Sequence, residues 1–248
     1  MIRLLLGTSW KMNLTPSRAT VYCATLRPLV ADVDDRTLFV LPPFPAISAV
    51  RDALSDSNVA WGAQDVHPDD EGAHTGDVSA SMLADLGCTF VEVGHHERRR
   101  DHHEDDELIA AKVAAIQRWG MTAILCVGED NRTTTEAARA HVLGQLRFVE
   151  GFDPARLVVA YEPAWAIGVG AERAPSEWIG AMHGAIHERL RVAAGSDAVP
   201  VIYGGSVDAA GAAEILATPG VDGLFVGRYA LTPEGFAEIA HKPLAPAP

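Results

Sequence analysis

The sequence predicts a single domain, residues 1–248, folded as a closed (β/α)8 barrel, and three observations lead to this fold class. Eight short β-type apolar runs follow one another, helical stretches separate them, and no linker interrupts the alternation. The length of 248 residues suits eight βα units. The predicted strands span residues 2–7, 38–41, 59–63, 89–93, 123–127, 157–161, 201–203 and 223–226.

Helical patterns stand out in four of the stretches between these strands, at residues 106–119, 133–149, 176–194 and 209–217. Ser, Thr, Asp or Pro lies near several of their starts, where such residues cap or open a helix. The proline-rich tail, residues 243–248, is expected to fray. Strands that alternate with helices in this way favour a closed parallel barrel over two open sheets.

The composition indicates a cytoplasmic enzyme with no nucleic-acid or membrane partner. A formal net charge of −13 opposes attraction to nucleic acid and to anionic membranes. No apolar run approaches the roughly 20 residues of a membrane span, and the first residues resemble a strand and not a signal peptide. Cys23, Cys88 and Cys126 are odd in number and widely spaced, which argues against disulfides and a thiolate zinc site.

In such a barrel, functional side chains gather where the strands end, so each strand exit is a candidate site. Lys11 follows the first strand and could place a positive charge over the barrel mouth, although a solvated surface lysine is the common alternative. The third strand leads into a long, polar, glycine-containing loop that runs from Gln64 to Asp77. Long loops in compact domains usually bind something, and a partner subunit is as good a target here as a ligand.

The fourth exit is rich in histidine. His95 could act as an acid, a base or a polarising donor, or serve as a hydrogen-bonded structural histidine. The set of His95, His96, His102 and His103 also raises the possibility of a metal site. Adjacent histidines on an extended segment face opposite ways, and no helical i, i+4 pair is present, so we expect no metal. The neighbouring arginines are expected to pair with acids.

The sixth exit places Glu162 at the end of a buried strand, and Pro163 stops that strand. The apolar loop that follows ends in Gly168 and Gly170, a composition typical of a closing lid that excludes water. Desolvation under such a lid should raise the pKa of Glu162 and suit it to act as a general base. A surface glutamate that starts a βα turn is the alternative.

Glycines after the seventh and eighth strands indicate an anion site. Gly204 and Gly205 follow one strand, and Gly223 and Gly227 flank the other, ahead of short helices. Their backbone N–H groups could close on an oxyanion at the position where barrels often bind phosphate. The sequence therefore predicts a phosphorylated substrate.

Cys126, after the fifth strand, is expected to pack and not to act as a nucleophile.

Together these exits resemble the triosephosphate isomerase family along essentially the whole chain. The matching segments are Trp10-Lys11-Met12-Asn13, Gly94-His95 with Glu97-Arg98-Arg99, Ala160-Tyr161-Glu162-Pro163 with Trp165-Ala166-Ile167-Gly168, and Tyr203-Gly204-Gly205-Ser206-Val207. The resemblance implies a TIM-barrel homodimer that interconverts an aldose phosphate and a ketose phosphate through an enediolate. It implies no metal and no organic cofactor.

The resemblance also implies a role for each catalytic residue. Glu162 is the base that moves a proton between adjacent carbons, and His95 is the neutral electrophile that polarises the carbonyl. Lys11 supplies positive potential for the anionic intermediate and the phosphate, and Glu97 belongs to the same catalytic set.

For binding, the resemblance implies that backbone groups at Gly168, Ser206 and Gly227 hold the phosphate of a small sugar. A lid of residues 163–174 closes over that phosphate. The loop of residues 64–77 becomes the dimer interface, and Thr75 near its tip reaches towards the partner's site.

Several residues depart from the family pattern. Ser9 and His96 stand where Asn and Ser are usual, Arg228 replaces the second glycine of the last phosphate loop, and Asp77 replaces Glu in the interface loop. Ser9 and Arg228 resemble the branch of the family that isomerises four-carbon erythrulose phosphates. The Arg228 guanidinium could contact phosphate, or it could point outward while its backbone N–H binds.

These residues define one leading function and its alternatives. The leading function is a sugar-phosphate isomerase, most simply of dihydroxyacetone phosphate and glyceraldehyde 3-phosphate, with an erythrulose phosphate isomerase as the close alternative. A metal-dependent hydrolase built on the histidines and a binding protein without turnover are the other candidates. Retention of Lys11, His95 and Glu162 together argues against the binding protein.

Overall fold

The computed structural model describes residues 3–168, 170–195 and 198–243. In this part of the chain eight parallel strands close into a barrel in chain order, which confirms the predicted (β/α)8 fold. The strands are β1 (Leu4–Ser9), β2 (Arg36–Leu41), β3 (Val59–Ala63), β4 (Phe90–Val93), β5 (Thr122–Val127), β6 (Leu157–Tyr161), β7 (Val201–Tyr203) and β8 (Gly223–Val226). The α-helices are α1 (Pro16–Leu29), α2 (Ile47–Leu54), α3 (Ala80–Asp85), α4 (His96–Asp101), α5 (Asp106–Arg118), α6 (Thr135–Gln145), α7 (Ser176–Ala194), α8 (Ala212–Leu216) and α9 (Pro233–Ala240).

The main differences from the sequence-based bounds are at β1, α6 and α8. The predicted start of β1 at residue 2 lies outside the described residues, as do lid residue 169 and tail residues 244–248. At its other end β1 runs on to Ser9, because Ser9 pairs with Leu41 of β2. Helix α6 stops at residue 145, and α8 starts only at Ala212, since Gly211 N donates to Asp208 Oδ1 (2.8 Å) in a preceding turn.

Side-chain alternation along the strands separates an inner from an outer apolar core. Inside the barrel, Leu5, Phe39, Ile124 and Phe225 belong to one buried cluster, and a larger cluster joins the outward strand faces to the helices. A Cβ on Gly7 would lie 2.0 Å from the Phe39 ring, so the middle of the barrel is filled. Open space is therefore left at the carboxyl ends of the strands.

A buried ionic network ties the start of the loop after β3 to α4 and α5. Lys112 of α5 is 4% exposed and lies 2.7 Å from Asp65 Oδ1 and 2.6 Å from Glu104 Oε1. Arg98 of α4 contacts the same two carboxylates at 2.8 and 2.7 Å. The expected pairing of arginines with neighbouring acids is present here. The network holds the segments on either side of His95 against each other.

Two expectations from composition can be compared with the fold. Cys23, Cys88 and Cys126 are buried and unpaired. Within the described ranges, helices long and apolar enough to cross a membrane are absent.

Removal of the central cation should destabilise this network. We predict that Lys112→Met lowers the free energy of unfolding by up to about 3–5 kcal/mol, because Asp65 and Glu104 lose the buried ammonium that joins them and keep only Arg98 as a shared counter-ion. Urea denaturation at a fixed protein concentration measures the change. The matched control is Lys242→Met, whose surface pair with Glu238 at 3.8 Å should contribute below about 1 kcal/mol. Equal stabilities of the two variants would contradict the assigned role of Lys112.

Candidate active site

A cavity of roughly 1100 Å³ opens where the strands end, and all nine residues predicted for the site line it. They come from five strand exits that are far apart in sequence. The lining includes Ser9, Lys11, His95, Glu97, Glu162, Gly168, Ser206, Gly227 and Arg228.

Glu162 directly follows β6 and is 6% exposed. Its Oε2 lies 3.4 Å from His95 Nε2 and makes no hydrogen bond within the described part of the chain. Burial, and after it the charge of Glu92, raises the pKa of Glu162 well above its usual range, while Lys11 opposes the shift. The carboxylate lines the cavity and can therefore act there as a base.

Glycines on both neighbouring strand ends make room for Glu162. A Cβ on Gly204, after β7, would lie 2.6 Å from Glu162 Oε1 and 2.7 Å from its Cγ. A Cβ on Gly128, after β5, would lie 2.0 Å from the Glu162 carbonyl oxygen. Any larger residue at either position would displace the carboxylate or its backbone.

His95 precedes α4 and lines the cavity, with its Nε2 lying 3.4 Å from Glu162 Oε2. Its Nδ1 accepts a hydrogen bond from Glu97 N (3.1 Å), so the proton of the neutral ring resides on Nε2. Burial, followed by the charge of Lys11, lowers the pKa of His95 well below its usual value. The approach of Glu97 Oε2 to Nδ1 at 3.6 Å is therefore no ion pair. A neutral imidazole that donates from Nε2 can polarise a carbonyl.

Lys11 is held in an unusual backbone conformation. Its φ is 52°, in the left-handed region that residues other than glycine seldom adopt. Gln64, at the start of the loop after β3, donates to the carbonyls of Lys11 (3.1 Å) and Leu41 (2.8 Å) and so supports this turn. The Lys11 ammonium contacts Glu97 Oε1 at 2.7 Å. The sequence analysis named Gln64 only as the start of the loop, because nothing in the neighbouring sequence indicates that its side chain supports the turn at Lys11.

The lid over the cavity is anchored at its first end by Glu129, a second residue that sequence reasoning did not single out. Glu129 follows β5 and is 3% exposed. Its Oε1 accepts from Trp165 Nε1 (2.8 Å) and from the Tyr161 hydroxyl (3.0 Å), and its carbonyl accepts from Ala164 N (3.0 Å). One buried carboxylate thus joins the last residue of β6 to the first turn of the lid.

On its other side, the lid is bonded to the residues predicted to hold phosphate. Both Ser206 N (3.0 Å) and Ser206 Oγ (2.8 Å) donate to the Ala166 carbonyl. Arg228 opens a 3-10 helix and donates from Nη2 to the Gly168 carbonyl. The sequence left Arg228 a choice between phosphate and an outward position, and in the structure it contacts the lid. To bind a phosphate through the same donor groups, Ser206 and Arg228 would have to release the carbonyls of Ala166 and Gly168.

Glu92 is a buried carboxylate of the cavity that the sequence analysis did not single out. It lies on β4, is 2% exposed, and accepts a hydrogen bond from Ser9 Oγ (2.7 Å) through Oε2. Carboxylate oxygens of Glu92 and Glu162 lie within 4.8 Å of each other. The signal was available: Phe90 and Glu92 occupy the inward positions of a buried strand, where a charge is unusual.

Possible metal ligands fall into a different arrangement from the four-histidine set. Among the described residues, the three-ligand clusters are His95 with His96 and Glu97, His95 with Glu92 and Glu162, and His67 with Asp69 and His74. The exposed His102 and His103 belong to none of these clusters. The cluster of Glu92, His95 and Glu162 lies in the cavity itself, and the positive charge of Lys11 acts on its carboxylates. That charge disfavours a cation there.

Comparison with known proteins agrees with this geometry. The family model described as triosephosphate isomerase matches residues 4–242. The chain belongs to the triosephosphate isomerase family. The family resemblance inferred from the motifs is therefore confirmed.

Similar members of the triosephosphate isomerase family carry two different names. A triosephosphate isomerase of Roseiflexus sp. is 43% identical, over 96% of each chain. An L-erythrulose-1-phosphate isomerase of Mesorhizobium japonicum is 39% identical, over 94% of each chain. The crystal structure of triosephosphate isomerase from Bartonella henselae matches this structure with a TM-score of 0.85 and 30% sequence identity. The match covers 96% of this chain and 98% of the Bartonella chain.

The close contact between Gly204 and Glu162 can be tested directly. We predict that Gly204→Ala lowers kcat of isomerisation by about 100-fold, because the new methyl group, 2.6 Å from Glu162 Oε1, displaces the carboxylate by roughly 1 Å. Steady-state kinetics measure the loss. Gly144→Ala in α6, where an added Cβ meets nothing within 4 Å, is the matched control and should retain full activity. Unchanged kcat in Gly204→Ala would show that the contact is unimportant.

Proposed function

We propose that the protein is an aldose–ketose isomerase of short-chain sugar phosphates that works through an enediolate without a cofactor. The observation that carries the proposal is the pairing of Glu162 Oε2 with His95 Nε2, 3.4 Å apart in a lidded cavity. One side chain is a desolvated base, and the other is a neutral donor. Proton abstraction next to a carbonyl needs both.

In the proposed reaction, the substrate carbonyl oxygen accepts a hydrogen bond from His95 Nε2–H. Glu162 removes a proton from the adjacent carbon, and the electron pair moves towards the carbonyl oxygen to form the enediolate. The former carbonyl oxygen takes the proton of His95 Nε2, and the hydroxyl oxygen on the adjacent carbon gives its proton back to that nitrogen. Glu162 then returns its proton to the former carbonyl carbon, so the adjacent carbon becomes the new carbonyl. Lys11, held by Glu97 at 2.7 Å, stabilises the negative charge that develops.

We place the phosphate among backbone groups of Gly168, Ser206 and Gly227. Glycine is required where a backbone must approach a ligand closely, and Gly168 has a φ of 120°. Arg228 supplies a further positive charge at the cavity edge. Binding of a phosphate would replace the contact between Ser206 N and Ala166 O, which supports a lid that responds to substrate.

The simplest substrate pair is dihydroxyacetone phosphate and glyceraldehyde 3-phosphate. A four-carbon erythrulose phosphate is the second candidate, because Ser9 and Glu92, two polar side chains joined by a hydrogen bond of 2.7 Å, line the cavity. The deciding experiment is an isomerisation assay with three- and four-carbon ketose phosphates, with and without a chelator. Turnover of either substrate that resists the chelator supports the proposal. Turnover of neither, or full loss with chelator, would refute it.

Replacement of the base should separate chemistry from binding. We predict that Glu162→Gln lowers kcat by about 10²- to 10⁴-fold with little change in KM, because the lost proton transfer acts in the transition state. Steady-state kinetics and a circular dichroism spectrum measure activity and fold. Retention of most turnover in a folded Glu162→Gln variant would rule out this mechanism.

We further propose that the protein is a cytoplasmic homodimer whose interface is the loop of residues 64–77. Residues 71–77 are all exposed, yet the base of the loop is fixed by His67 N donating to Val78 O (2.8 Å) and by Arg118 contacting Asp70 (2.8 Å). Met12, next to Lys11, is 97% exposed. A projecting loop and an exposed apolar side chain beside the cavity suit mutual insertion between two copies.

The dimer proposal makes a prediction about Thr75. Thr75→Arg should yield monomers of low activity, because the inserted tip has no room for a long charged side chain. Analytical ultracentrifugation and activity measured at the same concentration test this. Val21→Arg on α1, which is 66% exposed and far from the loop in sequence, is the control and should stay dimeric. A native protein that is monomeric and fully active would contradict the proposed interface.

A further inference from the structure

Glu92 has no part in the mechanism above, although one of its carboxylate oxygens lies within 4.8 Å of a ring nitrogen of His95 and a carboxylate oxygen of Glu162. It is 2% exposed and lines the same cavity as Glu162 and His95. Withdrawal of a carboxylate from water costs several kcal/mol unless partners compensate. An apolar residue at this inward position of β4 would avoid that cost. A buried carboxylate that faces a ligand cavity therefore calls for a polar group on the ligand.

The hydrogen bonds of Glu92 leave capacity for such a group. Oε2 accepts from Ser9 Oγ at 2.7 Å, a bond that crosses the barrel interior from β1 to β4. Oε1 contacts the Cys126 thiol at 3.7 Å, and a thiol is a weak donor. A carboxylate offers about four lone-pair positions, so Oε1 can accept from a hydroxyl in the cavity. Ser9 fixes the orientation of the carboxylate and, being small, leaves space beside it.

The barrel places Glu92 opposite the phosphate end of the cavity. The strands are arranged in chain order, so β4 and β8 lie on opposite sides of an eight-stranded ring. Gly227 and Arg228 follow β8, whereas Glu92 is on β4. A sugar phosphate with its phosphate at the β8 side would direct its other end towards Glu92. That end is where a four-carbon ketose phosphate differs from a triose phosphate.

We propose that Glu92 and Ser9 form a hydroxyl-binding subsite for the hydroxymethyl group that a four-carbon 1-phosphoketose carries beyond the reacting carbons. The inference rests on the isomerase function proposed above and concerns substrate choice within it. The terminal hydroxyl donates to Glu92 Oε1, and Ser9 Oγ holds Oε2 in place. Glu92 is thus a specificity-determining residue, and proton transfer stays with Glu162.

A different role for Glu92 would act through charge alone. Burial raises the pKa of Glu92 to about 7, and its charge is the largest influence after burial that raises the pKa of Glu162. The other groups that act on the pair are Ser9, Lys11, Glu97 and Cys126. If Glu92 only tuned Glu162, its removal would alter every substrate equally and move the acid limb of the pH profile. A hydroxyl subsite predicts unequal effects.

The test compares L-erythrulose 1-phosphate with dihydroxyacetone phosphate in the wild type, Glu92→Val, Glu92→Gln and Ser9→Asn. We expect Glu92→Val to lower the ratio of kcat/KM for the four-carbon to the three-carbon substrate by about 10- to 150-fold, the loss of one hydrogen bond to a charged group. Ser9→Asn should shift the ratio the same way by filling the space. Glu92→Gln, of equal volume, should retain part of the preference and covers the case in which Glu92→Val fails to fold.

Binding of unreactive analogues separates this inference from the function itself. Inhibition constants, or dissociation constants by calorimetry, are measured for erythritol 4-phosphate and glycerol 3-phosphate. The subsite predicts that Glu92→Gln and Glu92→Val weaken the four-carbon analogue selectively. If the wild type isomerised neither substrate, the proposed function would fail, yet selective weakening would still support the subsite. Equal losses for both chain lengths, with a moved acid limb, would overturn the subsite and assign Glu92 to tuning.

Discussion

The site depends on how tightly Glu162 is inserted between two neighbouring strand ends. Its side chain meets the backbone of Gly204, and its carbonyl meets Gly128, at distances that exclude any Cβ. This fit removes the carboxylate from water, and desolvation is the largest cause of its raised pKa. Basicity and position thus have one origin. The lid can then close over a base that the barrel already holds in place.

The net charge of the whole chain repels an anionic sugar phosphate, whereas positive side chains in the cavity attract it. The chain carries a formal net charge of −13, which works against the approach of a phosphorylated sugar. Screening at physiological salt limits that repulsion to about 8 Å. Inside the cavity, Lys11, Arg173 and Arg228 line the walls together with glycine-rich backbone. Anion recognition is therefore local, and it relies on groups that need not dominate the surface.

The lid is hydrogen-bonded to the barrel at both sides, and the proposed phosphate site shares the bonds on one of them. Glu129 anchors the first turn through Trp165, while Ser206 and Arg228 hold the carbonyls of Ala166 and Gly168. The first anchor is the buried carboxylate of Glu129, and phosphate binding does not require its hydrogen bonds to break. The second set consists of groups that could bind phosphate instead. A lid with one permanent and one exchangeable attachment can open and close about a defined hinge.

The alternation of β runs with helices determined the barrel, and the residues at the strand ends determined most of the site, including Glu162, His95, Lys11 and the glycines. These were predictable because parallel strands bring their carboxyl ends to one edge. The tertiary structure alone decided the hydrogen-bond partners of Gln64, Glu129 and Glu92, and the contact of Arg228 with the lid. Each depends on partners 23 to 83 residues away in the chain, and long-range hydrogen bonds leave no local pattern. Sequence sets which residues reach the cavity, whereas packing sets what they touch there.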